Sequence, residues 1–353
     1  MRFAMFHSLF YKIFFDNPQK CIIIAEAGVN HNGDIALAKK LIDAAFEAGA
    51  DAVKFQTFKA ENIVTPTAEK AEYQKNTTDT GESQYEMIKK LELSKADFWD
   101  LSEYAKNTGI LFLSTPFDED SVDLLDEIGV PAFKIPSGEI TNFPLLKKIA
   151  KKSKPIILST GMATLGEVEE SVNYLKKYGA EEIILLHCTT SYPAPVKSVN
   201  LRAMETLRCA FQFPVGYSDH TEGITVPIAA VAMGACIIEK HFTLDRTLPG
   251  PDHKASLEPR ELTMMVKAIR DVECALGNGI KGPNDEEKSI KTVARRSIVA
   301  KRDLKEGDIL TEEDLAVKRP GTGIEPRYVD SIVQKKTRIL IRKDQVITWD
   351  MIE

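Results

Sequence analysis

Two histidines and two lysines set the chemistry this chain can support. His220 follows one short apolar run, 214–218, and His241 lies near the end of the next, 236–242. Neighbouring strands of a sheet lie about 4.8 Å apart, so imidazoles at the ends of adjacent strands can share one divalent ion at about 2.1 Å. Two protein donors leave positions open for substrate or water, as a Lewis-acid site requires. No H-x-x-x-H motif accompanies the pair. An equally simple arrangement has His220 capping a loop and His241 hydrogen-bonded in the core. Lys54 and Lys134, with Thr115, Ser137 and Ser159, form the second set. Two cations and several hydroxyls converging on one mouth suit a small polyanion carrying phosphate and carboxylate. The same lysines suit Schiff-base formation, as in a pyruvate aldolase, and the residue types alone leave both chemistries open.

The elements that would position these residues repeat along the chain. Short runs rich in Ile, Val or Phe occur at 22–29, 52–58, 110–117, 132–137, 155–160, 182–188, 214–218 and 236–242, with helical patterns between them such as 36–48, 95–108, 165–178 and 259–276. Strict alternation of helices with strands that are apolar on both faces predicts a parallel sheet. Eight such units in about 255 residues predict a (β/α)8 barrel. A doubly wound open sheet competes, but no G-x-G-x-x-G follows the first run. Barrel active sites are built at the C-terminal ends of the strands, and here nearly every run ends in polar residues: Glu26, Lys54 and Gln56, Ser114 and Thr115, Lys134 and Ser137, Ser159 and Thr160, His187 to Thr190 with Tyr192 beyond, Ser218 to His220, and Glu239 to His241. One such residue is easily a satisfied core group; a full set buried between helices and a packed interior must be paired or functional.

Composition narrows the classes. With 43% hydrophobic and 28% charged residues the chain can bury a sizeable core. A net charge of −6 without a basic stripe speaks against nucleic-acid binding. Five cysteines lack any C-x-x-C pair, which points to a reducing, cytoplasmic compartment rather than a disulfide framework. No segment reaches the roughly 18 apolar residues of a membrane span, and the apolar opening 1–15, interrupted by Arg2, His7 and Lys12, does not read as a signal peptide. The expected organisation is an N-terminal extension 1–21, a barrel 22–277, a linker 278–294 and a small β-rich module 295–353 with short strands at 296–300, 308–310, 315–318 and 338–341. The polar stretch 59–92, which holds Thr65, Thr77, Thr78, Asp79 and Thr80, is expected as a long loop over the barrel mouth.

The ordered motifs AEAGVNHNG (25–33), KFQ (54–56), STPFD (114–118), KIPSGE (134–139), STGM (159–162), HCT (187–189), GYSDH (216–220) and EKHFT (239–243) resemble the sialic acid synthase family, and the C-terminal module resembles its antifreeze-like SAF domain. The resemblance implies a phosphoenolpyruvate-dependent condensation with the open-chain aldehyde of an N-acylated hexosamine, forming a nine-carbon 2-keto acid and phosphate. His220 and His241 would hold the metal, manganese first with magnesium or cobalt as substitutes, which polarises the aldehyde. Lys54, Thr115, Lys134, Ser137, Ser159 and Ser218 would hold phosphoenolpyruvate. Glu26 would lie near the reacting carbons as a base or water-orienting group, and Tyr192 and Asp252 would contact the sugar. Arg319 would reach the barrel mouth of a second subunit and contact the N-acyl group, which implies a domain-swapped homodimer. Thr190 stands where N-acetylneuraminate synthases carry Asn, and the segment 250–259 looks like the broader bacterial and archaeal branch. N-acetylmannosamine, the acceptor of the family's commonest activity, is the first expectation; the alternative is 2,4-diacetamido-2,4,6-trideoxymannose, the acceptor for N,N'-diacetyllegionaminate.

Overall fold

Every strand of the large sheet is buried almost throughout, and most are runs rich in Ile, Val, Leu or Phe: β1 (Ile22–Gly28), β2 (Ala52–Thr57), β3 (Leu111–Pro116), β4 (Phe133–Ile135), β5 (Ile156–Ser159), β6 (Ile183–Cys188), β7 (Val215–Asp219) and β8 (Ile237–His241). The computed structural model describes residues 20–353 apart from 76, 77 and 80; the expectations for 1–15, Thr77 and Thr80 lie outside the described residues. All ladders of this sheet are parallel, in the order β3-β2-β1-β8-β7-β6-β5-β4. The end strands β3 and β4 lie side by side and bring the sheet round to a nearly closed barrel. The helices between the strands start where side chains cap them. Ser94 with Asp97 and Thr164 with Glu167 form capping boxes that open the helices Lys95–Thr108 and Leu165–Lys177.

Side chains alternate across a strand, and here the alternation separates two apolar layers. Ile23, Ala25, Val53, Phe55, Leu158 and Ile238 face the helices as part of the large outer core. Ile22, Ile24, Ala52, Leu113, Ala132, Ile157, Ile184, Leu186 and Ile237 form a separate plug inside the barrel. Two residues beyond the plug, toward the strand ends, the same inward face carries Glu26, Lys54, Thr115, Lys134, Ser159, Cys188 and Glu239. The barrel floor is therefore greasy and its top is ionic. Gly216 belongs to this inner layer because a Cβ there would come 2.6 Å from Ile237 O and 2.7 Å from Leu186 Cδ2.

Contacts divide the chain into one unit ending at Gly277 and another spanning Asn278–Glu353. The stretch 278–294, expected as a linker, carries a helix, Asp285–Ala294, because Asn284 and Glu287 form a capping box and three acidic residues occupy its first turn. The second unit pairs β9 (Ser297–Ala300) and β10 (Leu315–Lys318) antiparallel over a core that includes Ile298, Leu304, Leu310, Ile324, Ile341 and Ile347. The expected strands at 308–310 and 338–341 are reduced to the single bridges Ile309–Lys336 and Leu304–Ile341, since the backbone groups around them bond into turns. The stretch 59–92 is not one continuous loop but holds short helices at Ala60–Ile63, Glu72–Lys75 and Gln84–Lys89.

Candidate active site

The strand register builds the site. Glu26 pairs with Lys54 on one side and His241 on the other, Gln56 pairs with Thr115, and Ser218 pairs with Glu239. Above the plug these side chains line a cavity of about 310 Å³, in the size range of small-molecule sites. Glu26, Lys54, Thr115, Lys134, Ser137, Ser159, Thr190, Tyr192, Ser218, His220, His241 and Asp252 all line it. Arg319 belongs to the other unit, where it is exposed and its Nε donates to Ala294 O at 3.0 Å.

A carboxylate outside the expected set holds the cations together. Lys54 Nζ lies 2.6 Å from Glu26 Oε2, donates to Thr115 Oγ1 at 2.7 Å and lies 3.6 Å from Glu239 Oε2. Lys134 Nζ lies 3.6 Å from Glu239 Oε1, which also accepts from Ser218 Oγ at 2.9 Å. Glu239 thus bridges both lysines, and its carboxyl falls to about 2 because the Lys134 and Lys54 ammoniums outweigh the burial that would raise it. Burial pushes Glu26 up to about 7, against the pull of Lys54. Lys134 is pulled below the usual lysine range by burial, whereas the two carboxylates keep Lys54 above it despite burial. Glu239 was visible as a polar strand end, but only three strands brought into register make it the bridge.

The histidines lie at the same rim, with ring centroids 5.5 Å apart; Tyr192 stands 4.2 Å from the His220 ring and 5.8 Å from that of His241. His220 Nδ1 bonds Thr189 O at 2.9 Å, which leaves Nε2 for another partner. His241 Nδ1 has no hydrogen-bond partner among the described residues and sits 3.9 Å from Asp252 Oδ2. Burial, then the neighbouring His220, drives His241 well below the usual histidine range, so the ring is neutral at neutral pH and one of its nitrogens carries a free lone pair. Burial raises Asp252 to about 6. Two imidazoles with free nitrogens facing one cavity fit a divalent ion, although no set of three or more His, Cys, Asp or Glu side chains forms a metal cage among the described residues. Ser159 Oγ and Glu239 Oε2 also lack hydrogen-bond partners there, as expected where a ligand completes the bonding.

Other polar strand ends prove structural. Lys240 and Asp219 face the helices as a fully buried pair at 2.6 Å, and His187 Nε2 bonds Val199 O at 2.7 Å. Ser114 meets Thr57 Oγ1 at 2.7 Å, and Thr160 donates to Leu186 O at 3.0 Å. The turn after β1 latches the loop that carries Asp252. Asn30 Nδ2 donates to Phe242 O at 2.8 Å and to Ser256 Oγ at 3.0 Å, and Asn32 Nδ2 donates to Pro249 O at 2.9 Å. The five cysteines are free. Among the described residues no helix is long and apolar enough to cross a membrane.

Known proteins resemble this chain along nearly their whole length. The chain is 55% identical over 331 residues to the N,N'-diacetyllegionaminic acid synthase of Campylobacter jejuni, covering 93% of this chain and 99% of that one. It is 54% identical over 337 residues to the protein of the same name from Legionella pneumophila, covering 94% and 95%. A crystal structure of N-acetylneuraminic acid (sialic acid) synthetase from Leptospira borgpetersenii superposes with a TM-score of 0.68 at 40% identity, over 77% of this chain and 90% of that one. Residues 41–281 match the NeuB family and residues 295–353 the SAF domain; with most of the barrel inside that match, this chain belongs to the NeuB family and ends in a SAF domain.

Proposed function

We propose that this chain is an N,N'-diacetyllegionaminate synthase that condenses phosphoenolpyruvate with 2,4-diacetamido-2,4,6-trideoxymannose and releases phosphate. The observation that carries the reaction class is the cavity that joins buried Lys54 and Lys134 to the His220–His241 pair. The acceptor follows the two relatives above half identity. N-acetylmannosamine, placed first on the sequence, becomes the second reading, supported by the more distant Leptospira structure.

His220 and His241 would hold the divalent ion, manganese before magnesium or cobalt, and when bound it supplies Lewis-acid polarisation of the acceptor carbonyl. The chain's own groups do the remaining work. Lys54 and Lys134, with the hydroxyls of Thr115, Ser137, Ser159 and Ser218, bind the phosphate and carboxylate through charge-assisted hydrogen bonds. A new bond joins C3 of the enol to the aldehyde carbon, water adds its hydroxyl at C2, and phosphate leaves with the C2 oxygen. Glu26, titrating near neutrality beside Lys54, is placed to take the proton released by that water. Tyr192, Thr190 and Asp252 orient the acceptor at the rim. Arg319 would complete the acceptor site of a second subunit in a domain-swapped homodimer.

The test is phosphate release from phosphoenolpyruvate with manganese, comparing the two sugars with and without a chelator. Faster, chelator-sensitive release with the diacetamido sugar supports the reading; preference for N-acetylmannosamine moves the protein to the second one. Trapping of pyruvate on a lysine by borohydride would replace both with the Schiff-base alternative.

A further inference from the structure

One wall of the cavity has no place in the chemistry just described. Beside the ionic layer, Val29, Phe58 and Leu91 form a small buried apolar cluster of their own, with Ile63, Ile88 and Phe117 packed against it. All six also line the cavity. The wall is held from two sides. Phe58 meets Phe117 edge to face at 6.2 Å, Lys59 N donates to Asp118 Oδ2 at 2.9 Å, and Ala60 N donates to Glu92 Oε1 at 2.6 Å. Those bonds tie the start of the segment following β2 to the turn after β3 and to Glu92 at the segment's other end.

Phosphoenolpyruvate has no use for such a surface, since phosphate and carboxylate occupy all but its methylene carbon. The acceptor does. Its aldehyde carbon must lie among the histidines and the enol, so its unreactive end extends away from the ionic layer toward the mouth. A hydroxyl buried against Ile63, Ile88 and Phe117 would lose water without gaining a partner. A methyl in the same place gains contact area. We infer that the wall of Ile63, Ile88 and Phe117 receives the deoxy methyl end of the acceptor and makes the site select a 6-deoxy, doubly acylated hexosamine over one bearing a free 6-hydroxyl. This rests on the condensation proposed above and assigns its specificity to residues other than the histidines and lysines.

The experiment compares kcat/KM for 2,4-diacetamido-2,4,6-trideoxymannose and N-acetylmannosamine in the unaltered protein, Ile63→Ser and Ile88→Ser, with Ile88→Val as a milder variant that keeps the packing. Methyl-sized contacts in apolar pockets discriminate by about 10- to 200-fold. Each serine variant should therefore lower the ratio of the two kcat/KM values about tenfold or more, and Ile88→Val less, in the same direction. The acceptor KM should move further than the phosphoenolpyruvate KM. An unchanged ratio, or parallel rises in both substrates' KM, overturns the inference. A second readout separates it from the reaction itself: the shift in melting temperature that each sugar produces. If neither sugar supports phosphate release but the deoxy sugar still stabilises the unaltered protein more than Ile88→Ser, the reaction assignment falls and the wall stands. If the two proteins respond alike to both sugars, the wall falls.

Discussion

Glu239 offers a demanding check on the electrostatics of the site. Its carboxylate lies 3.6 Å from both Lys54 Nζ and Lys134 Nζ, in a place where all three side chains are nearly free of solvent. At an effective dielectric constant of about 20, a pair at that separation is worth about 5 kcal/mol before desolvation. Breaking one member out of a buried pair costs about 3–5 kcal/mol in practice. Glu239→Gln keeps the shape and an acceptor for Ser218 Oγ, so no cavity confuses the result. It leaves two ammoniums facing the single carboxylate of Glu26, with Ile135 O, 3.3 Å away, as the nearest remaining acceptor for Lys134. Two consequences of opposite sign follow. The free protein should lose about 3–5 kcal/mol in urea denaturation, and phosphoenolpyruvate should bind about tenfold tighter by calorimetry, since a ligand anion no longer competes with Glu239 for the lysines. Unchanged stability together with unchanged affinity would refute the view that Glu239 neutralises the pair.

Replacing His220 or His241 by alanine should lower manganese-dependent phosphate release about 100-fold or more, because losing an inner ligand must cost at least what losing an outer-shell partner does; phosphoenolpyruvate binding measured without metal should survive. Burial holds His31 and His253 neutral, each pushed down to about 4. The unfolded chain takes up those protons near pH 6.5, so their contribution is complete above about 6.5 and drains as pH falls toward 4, at up to about 1.4 kcal/mol per pH unit for each histidine. Glu26 and Asp252, raised to about 7 and about 6, act with the opposite sign. The check is therefore a difference: His31→Gln should show a shallower fall of stability between pH 6.5 and 4 than the unaltered protein. Gly161→Ala would press a Cβ onto Thr190 Oγ1 and come 2.7 Å from Ser137 Oγ, which accepts from Gly161 N at 2.9 Å. About 1–3 kcal/mol of strain should appear as a raised KM for phosphoenolpyruvate, with a small change in melting temperature.

Much of this was legible in the linear chain. Eight apolar runs alternating with amphipathic stretches leave a closed parallel barrel as the consistent arrangement, because strands that bury both faces need helices outside and a plug inside. The polar residues that end those runs were legible for the same reason: ionisable groups placed beyond a greasy floor have no structural purpose unless they are paired or meet a ligand. What the chain alone could not decide was which polar strand ends face inward. Lys240 and Glu239 are adjacent and both buried, yet one closes a structural pair with Asp219 behind the sheet and the other bridges two lysines in the cavity. A one-residue change of phase exchanges the two faces, and phase is set by the inner layer of Ile22, Ile24 and Ile237 meeting across strands far apart in sequence. The apolar wall was hidden for a related reason. Ile63 and Ile88 look like ordinary residues of a polar connection, and only the closing of the barrel under that segment brings Phe58 and Phe117 up beside them. Composition and periodicity thus determine that a barrel forms and where its chemistry must lie; the closing of the sheet, which fixes register between distant strands, decides which groups do it.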